Sequence, residues 1–160
     1  MIDCDFESLQ MDKEIKSMAS QIAYCHNTNK KQAQPCHIQV LGLGPKLRAK
    51  LDKYNISAWG VTYSDTNFLD YYMNEAEDKE KAKKSLVYLT ADSENLLKKL
   101  DNKKVYVIGG LVDHNRHKLL TLKKANELGI KHARLPIQEN IQLDSSAVLT
   151  VNHVFDLVCS

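Results

Sequence analysis

The chain has 160 residues, 43% of them apolar and 26% charged, and carries a net charge of +2. That length fits one domain able to bury roughly 70% of the surface its unfolded form exposes, and the composition excludes a wholly disordered chain. No apolar run approaches the roughly 20 residues needed to cross a bilayer, and the first residues lack the basic-then-apolar pattern of a signal peptide.

A soluble, intracellular protein without a membrane segment is therefore expected. Cys4, Cys25, Cys36 and Cys159 are scattered, with no Cys-x-x-Cys pair. Neither a zinc knuckle nor a disulfide framework is offered, and reduced structural thiols are expected.

In chain order, Ile2-Asp3-Cys4 reads as the end of a short strand. Asp12 is placed to cap a helix, because its carboxylate can accept from the free N–H groups of a first turn. Ile15, Met18, Ala19, Ile22 and Ala23 give that helix one buried face, and 27–34 reads as a polar connection. Cys36 to Leu43 reads as a buried strand stopped by Gly42-Leu43-Gly44-Pro45, with a short basic helix following to about Tyr54. Trp59 to Tyr63 is a candidate strand, and the charge run 74–84 a solvated loop or surface helix.

Leu86 to Leu89 is a β-type run ending at Thr90-Ala91-Asp92-Ser93, where Asp92 or Ser93 is expected to cap a helix through Leu100. Val105 to Ile108 is a second such run and ends at Gly109-Gly110. Leu120 to Leu128 reads as a helix closed by Gly129. A strand around His132 to Leu135 leads to Pro136, and Val148 to Val158 reads as mostly helical.

Strands alternating with helices predict an α/β fold, a parallel sheet with helices on both faces. Ligands of such sheets gather at the carboxyl ends of the strands. That rule singles out Thr90 to Asp92, Gly109 to Asp113 and Leu135 to Ile137.

Gly42-Leu43-Gly44 follows a strand, but Leu47 stands where a dinucleotide fingerprint needs its third glycine and Pro45 removes a donor. That reading is rejected. His114 and His117 have no cysteine to complete a metal set, and their basic neighbours would repel a cation, so no metal is expected. No serine lies in a Gly-x-Ser-x-Gly elbow.

Charge distribution says more than the total. From Asp113 to Arg134 there are six cations (Arg116, Lys118, Lys123, Lys124, Lys131 and Arg134) against Asp113 and Glu127. This stretch is a candidate phosphate-facing surface, with Lys46, Arg48 and Lys50 as a second patch. Within it, 109–118 joins two glycines, an acid and a basic cluster, and either a reacting or a merely capping role is open to Asp113.

Four segments in order, Tyr88 to Asp92, Val107 to Arg116, Ala133 to Ile137 and Val148 to Phe155, together with Asp3-Cys4-Asp5-Phe6, resemble the tRNA methyltransferases that modify N1 of the purine at the ninth nucleotide. The likeness spans nearly the whole chain and is weakest from Arg48 to Lys84. It implies a SPOUT methyltransferase fold as one domain over 1–160, with a C-terminal trefoil knot, a rarity no periodicity could reveal. It also implies S-adenosyl-L-methionine as cofactor, tRNA as partner, a monomer, and a place in nucleus or cytoplasm.

By the same resemblance, the cofactor site is lined by Leu89, Thr90, Gly109, Gly110, Asp113, His114, Asn115, Arg116, Lys118, Leu122, Leu135, Pro136, Val148, Leu149 and Thr150. Asp113 is then the expected general base, removing the N1 proton of guanine. Arg116 and Lys118 are cationic at neutral pH and suit phosphate or a carboxylate better than base catalysis. Asp3 and Asp92 are secondary candidates for shaping the site, and His153 for packing or capping.

Members of that family carry a lysine-rich N-terminal extension and continue past Phe155 into a longer helix and basic tail, so a piece trimmed at both ends is expected. Two rivals stand: a non-catalytic RNA-binding subunit on the same fold, and a flavodoxin-like small-molecule domain.

Overall fold

The computed structural model describes residues 1–112, 117, 119–136 and 150–159. Among these, six strands form one sheet: β1 (Ile2–Asp3), β2 (Gln39–Leu41), β3 (Thr62–Ser64), β4 (Leu86–Leu89), β5 (Val105–Gly109) and β6 (Lys131–Ala133). The order is β3-β2-β1-β5-β4-β6 and every pairing is parallel. The helices are α1 (Asp12–Asn29), α2 (Pro45–Lys53), α3 (Phe68–Asn74), α4 (Lys79–Ser85), α5 (Leu120–Leu128) and α6 (Val151–Cys159).

Strand side chains alternate between two cores, as a sheet covered on both faces requires. Ile2, Val40, Val87, Leu89 and Ile108 pack with Ile15, Met18 and Ile22 of α1, Leu47 and Leu51 of α2, and Val151 and Phe155 of α6. Leu41, Leu86, Tyr88 and Val107 turn the other way, toward Phe68 of α3 and Ala125 of α5. The predicted α/β architecture is present, and all five apolar positions read on α1 are buried.

Differences from the sequence reading have local causes. Asp12 is the first helical residue rather than the cap, and its carboxylate meets Lys46 at 3.1 Å. The N–H of Met11 donates instead to Glu14 Oε1 at 2.7 Å. Helix α1 continues through 27–29 because Asn29, buried, clasps both backbone groups of Cys36 at 2.7 and 2.9 Å.

The helix expected from Asp92 to Leu100 is absent. Ser93 Oγ accepts from the Asn95 N–H and lies 2.6 Å from His132 Nδ1. Arg134 N–H donates to Asn95 O and accepts at its own carbonyl from Leu97. The segment 93–97 thus covers the outer edge of β6, where unpaired strand groups would otherwise face water.

Cys4 and Cys25 are buried free thiols. Cys36 and Cys159, remote in sequence, approach to 3.1 Å between sulfurs. A hydrogen bond from Cys159 pulls the Cys36 thiol down to about 7 against the opposing effect of burial, and Cys159 moves up.

Candidate active site

From β1 the chain proceeds outward to β2 and β3, whereas β5 and β4 lie on the opposite side of β1. The loops leaving β1 and β5 therefore diverge to opposite faces, which makes the carboxyl ends of these two strands the topological switch point of the sheet. The residues gathered there are Asp3, Gly109 and Gly110.

Asp3 is fully buried. Its Oδ2 accepts from the Tyr88 hydroxyl and from the Lys124 ammonium, each at 2.7 Å, and its Oδ1 accepts from the Asp5 N–H. Lys124 lies over the rings of Phe6 and Phe68, 4.5 and 5.6 Å from their centroids. Cation–π attraction and the carboxylate together hold this ammonium inside the fold. Lys124, read from sequence as a phosphate contact, is a structural cation.

The two glycines have no positive φ. Their need is room: a Cβ on Gly110 would stand 2.7 Å from Asp3 O, and one on Gly109 2.9 Å from Thr121 Cγ2. The close approach at this pair is thus made by the chain's own β1 and α5. Gly110 N–H donates to Asp3 O at 2.6 Å.

Beside them, Thr90 N–H donates to Ala133 O, and Thr121 of α5 donates to the Thr90 hydroxyl at 2.8 Å. These bonds join the exits of β4 and β6 to the start of α5. Asp92 accepts from the Leu119 N–H at 3.2 Å, and Leu119 takes a left-handed φ of 64° to enter α5. Leu89 and Thr90 are buried, whereas Leu122, Leu135, Pro136 and Thr150 are half-buried along the same carboxyl edge. Asp113, His114, Asn115, Arg116, Lys118, Val148 and Leu149 lie outside the described residues.

Of the remaining cations in the basic stretch, Lys123 and Lys131 are exposed and Arg134 is half-buried. In the second patch, Lys46 pairs with Asp12, and Arg48 pairs with Asp52 while stacking on Tyr63. The Gly42-Leu43-Gly44 turn also acquires a reason. Glu7 Oε1 accepts from the Leu47 N–H of α2 at 2.7 Å, and a Cβ on Gly44 would collide with that carboxylate. The helix N-terminus that could have held a phosphate is filled by a side chain of this chain. His153 is exposed on α6.

The model of the family described as tRNA (guanine(9)-N(1))-methyltransferase TRM10/TRM10A matches residues 1–160, the entire chain. The chain belongs to this family. Among TRM10 relatives, tRNA methyltransferase 10 homolog A of Rattus norvegicus is 43% identical over 99% of this chain and 45% of its own length. The tRNA (guanine(9)-N1)-methyltransferase of Schizosaccharomyces pombe is 39% identical over 99% and 51%. The chain thus spans about half the length of the curated relatives it matches. Among TRM10 crystal structures, full-length spTrm10 in its SAH complex superposes with a TM-score of 0.87 at 37% identity, covering 99% of this chain and 83% of that one.

Tyr88, Thr121 and Gln10, whose amide bonds Gly110 O and Val112 N–H, are site residues that the sequence did not single out. Tyr88 had a readable signal, since a tyrosine inside an apolar strand needs a partner for its hydroxyl. Thr121 and Gln10 had none.

Burial, then the Asp3 charge and the hydrogen bond donated to it, push the Tyr88 hydroxyl well above its ordinary range. A raised folded value means that this contribution is complete below the unfolded value of about 10 and fades as pH rises beyond it. The Tyr88→Phe variant is expected to be less stable near neutrality and to lose less stability above about pH 10. Urea midpoints across that range decide; an unchanged alkaline slope refutes the assignment.

Proposed function

We propose that this chain is the catalytic part of an S-adenosyl-L-methionine-dependent methyltransferase acting on N1 of guanine at the ninth nucleotide of tRNA. The observation that carries the reading is the family match along all 160 residues. The proposal treats 1–160 as one SPOUT domain, acting as a monomer in the nucleus or cytoplasm. Among the described residues no helix is long and apolar enough to cross a membrane, and no three metal-ligating side chains come together.

A C-terminal trefoil knot is part of the proposal. Its support is the path of the chain, which ends β6 at the sheet edge yet resumes in α6 packed on α1 and β5 at the centre.

The residue types suit the cofactor. Leu122, Leu135 and Pro136 are half-buried apolar residues, the chemistry an adenine face would take. Leu89, Thr90, Gly109, Gly110 and Thr150 frame that edge, and Asp113 to Arg116, Lys118, Val148 and Leu149 complete the proposed set. When bound, the cofactor supplies an electrophilic methyl group whose sulfur leaves as a neutral thioether.

Guanine N1 carries a proton and is a poor nucleophile until it is lost. Asp113 is proposed to accept that proton, and placement of N1 in line with the methyl group supplies much of the remaining rate. Arg116, Lys118, Lys123, Lys131 and Arg134 are proposed to face tRNA phosphates. Lys124 is withdrawn from that set by its engagement with Asp3. The ninth base must be exposed from folded tRNA, so shape and backbone contacts should dominate recognition.

Methyl transfer from labelled cofactor to tRNA transcripts, followed by mapping of the modified nucleotide, tests the reading. Label at N1 of the ninth guanine, lost when that base is replaced by a pyrimidine, is the expected result. Cofactor and tRNA binding without transfer would favour the non-catalytic subunit instead.

A further inference from the structure

Strands β1 and β5 end level, at the paired Asp3 and Gly109, yet the backbone that follows β5 still offers the carbonyl of Gly110 and the N–H of Val112 to a partner. The rungs between them are Ile108 N–H to Met1 O at 2.8 Å and Gly110 N–H to Asp3 O at 2.6 Å. Parallel pairing repeats every two residues, so the next step calls for one residue whose N–H donates to Gly110 O and whose C=O accepts from Val112 N–H. By then the chain has left the sheet, turning through Phe6 into a single 3-10 turn at Glu7–Leu9.

The missing rung is supplied by a side chain. Gln10 Nε2 donates to Gly110 O at 3.3 Å, and Gln10 Oε1 accepts from Val112 N–H at 3.0 Å. A primary amide is the side-chain group that reproduces both halves of a peptide link, one donor and one acceptor in one plane. An apolar residue supplies neither half, and a carboxylate only the acceptor. The same turn makes a second contact: Leu9 O lies 3.1 Å from His117 Nε2. Further on, Asp92 holds the N–H of Leu119. The described residues that flank Asp113 in sequence are therefore held to other parts of the chain: Gly110 and Val112 by Gln10, His117 by Leu9 and Leu119 by Asp92.

We infer that Gln10 is a positioning residue for methyl transfer: its amide stands in for the absent third rung of β1 and fixes the backbone that delivers Asp113. The inference rests on the function proposed above. Because a displacement of about 1 Å in a reacting group can cost around a hundredfold in rate, loosening this rung should act on turnover rather than on binding. The amide acts through Val112, whose N–H it holds.

Two measurements on the whole protein test this. In Gln10→Met, similar in length but without donor or acceptor, kcat should fall on the order of tenfold or more, with KM for cofactor and tRNA nearly unchanged. Hydrogen exchange at the Val112 amide should quicken in the same variant. Gln10→Glu, which keeps the acceptor for Val112, should lie between the wild type and Gln10→Met in both measurements. An active wild type whose Gln10→Met variant keeps its kcat and its slow Val112 exchange overturns the inference. A change in KM alone, or a uniform loss of stability with kcat retained, also overturns it. A wild type that transfers no methyl group removes the proposed function and the kinetic half of the inference with it. Exchange at Val112 still decides whether Gln10 is the rung.

Discussion

Replacing Asp113 by asparagine is expected to lower methyl transfer by about 10²–10⁴-fold, the usual worth of a positioned base. Asparagine keeps the size and the acceptor oxygen of the side chain but cannot take up the N1 proton at neutral pH. Cofactor affinity and thermal midpoint should stay near those of the wild type, since the substitution keeps the size of the side chain and removes its capacity to take up a proton. The pH profile gives a second readout: the rate limb that reports base ionisation should disappear, leaving a dependence on hydroxide. An Asp113→Asn variant that retained full turnover would remove the base and leave the fold untouched. One that failed to bind S-adenosyl-L-methionine would leave Asp113 its place in the cofactor set and remove its role as base.

The exits of β4 and β5 were legible in the sequence because each pairs a run rich in β-branched and aromatic residues with small or turn-forming residues. Leu86 to Leu89 ending at Thr90, and Val105 to Ile108 ending at Gly109, are strands at those positions. What the sequence could not carry was the partner of each group. The glycine pair reads equally as a ligand approach or as a close contact with the chain itself, and only the position of Asp3 O beside Gly110 shows the second.

The helix expected after Asp92 failed for a related reason. Ser93 has the residue type of a cap, but its hydroxyl is already engaged with Asn95 and His132. Long-range pairing with Arg134 then outweighs a local propensity worth at most about 1 kcal/mol per residue. Basic character misled in the same way at Lys124: a run of cations marks a surface on average, while one member of the run can be drawn inward by a buried carboxylate. Even the loop Gly42-Leu43-Gly44 obeys this logic. Its glycine makes room for a carboxylate of the same chain, in keeping with the rejection of a dinucleotide fingerprint there.

The largest loss of stability is expected at Asp3. Removing one partner of a buried ion pair leaves the other charge uncompensated and costs about 3–5 kcal/mol. For Asp3→Ala that charge is the Lys124 ammonium, enclosed by Phe6 and Phe68, and the Tyr88 hydroxyl loses its acceptor as well. The Lys124 side chain is 21% exposed, so its head can swing toward water and recover part of this cost. The lower end of the range is therefore expected, a fall in thermal midpoint on the order of 10 °C. Lys124→Met should cost less, because Asp3 keeps donors in Tyr88 and Asp5 N–H.

The decisive comparison is the double variant Asp3→Asn with Lys124→Met. Both charges then vanish together while the volume is nearly kept, so its loss should be smaller than the summed losses of Asp3→Asn and Lys124→Met, each measured alone. Strict additivity would mean that the pair is not what stabilises the junction of β1 and β5. The Gly110 N–H to Asp3 O bond uses backbone atoms alone and survives in every one of these variants. Any change in turnover among them thus reports the displacement of α5 rather than a loss of the strand junction.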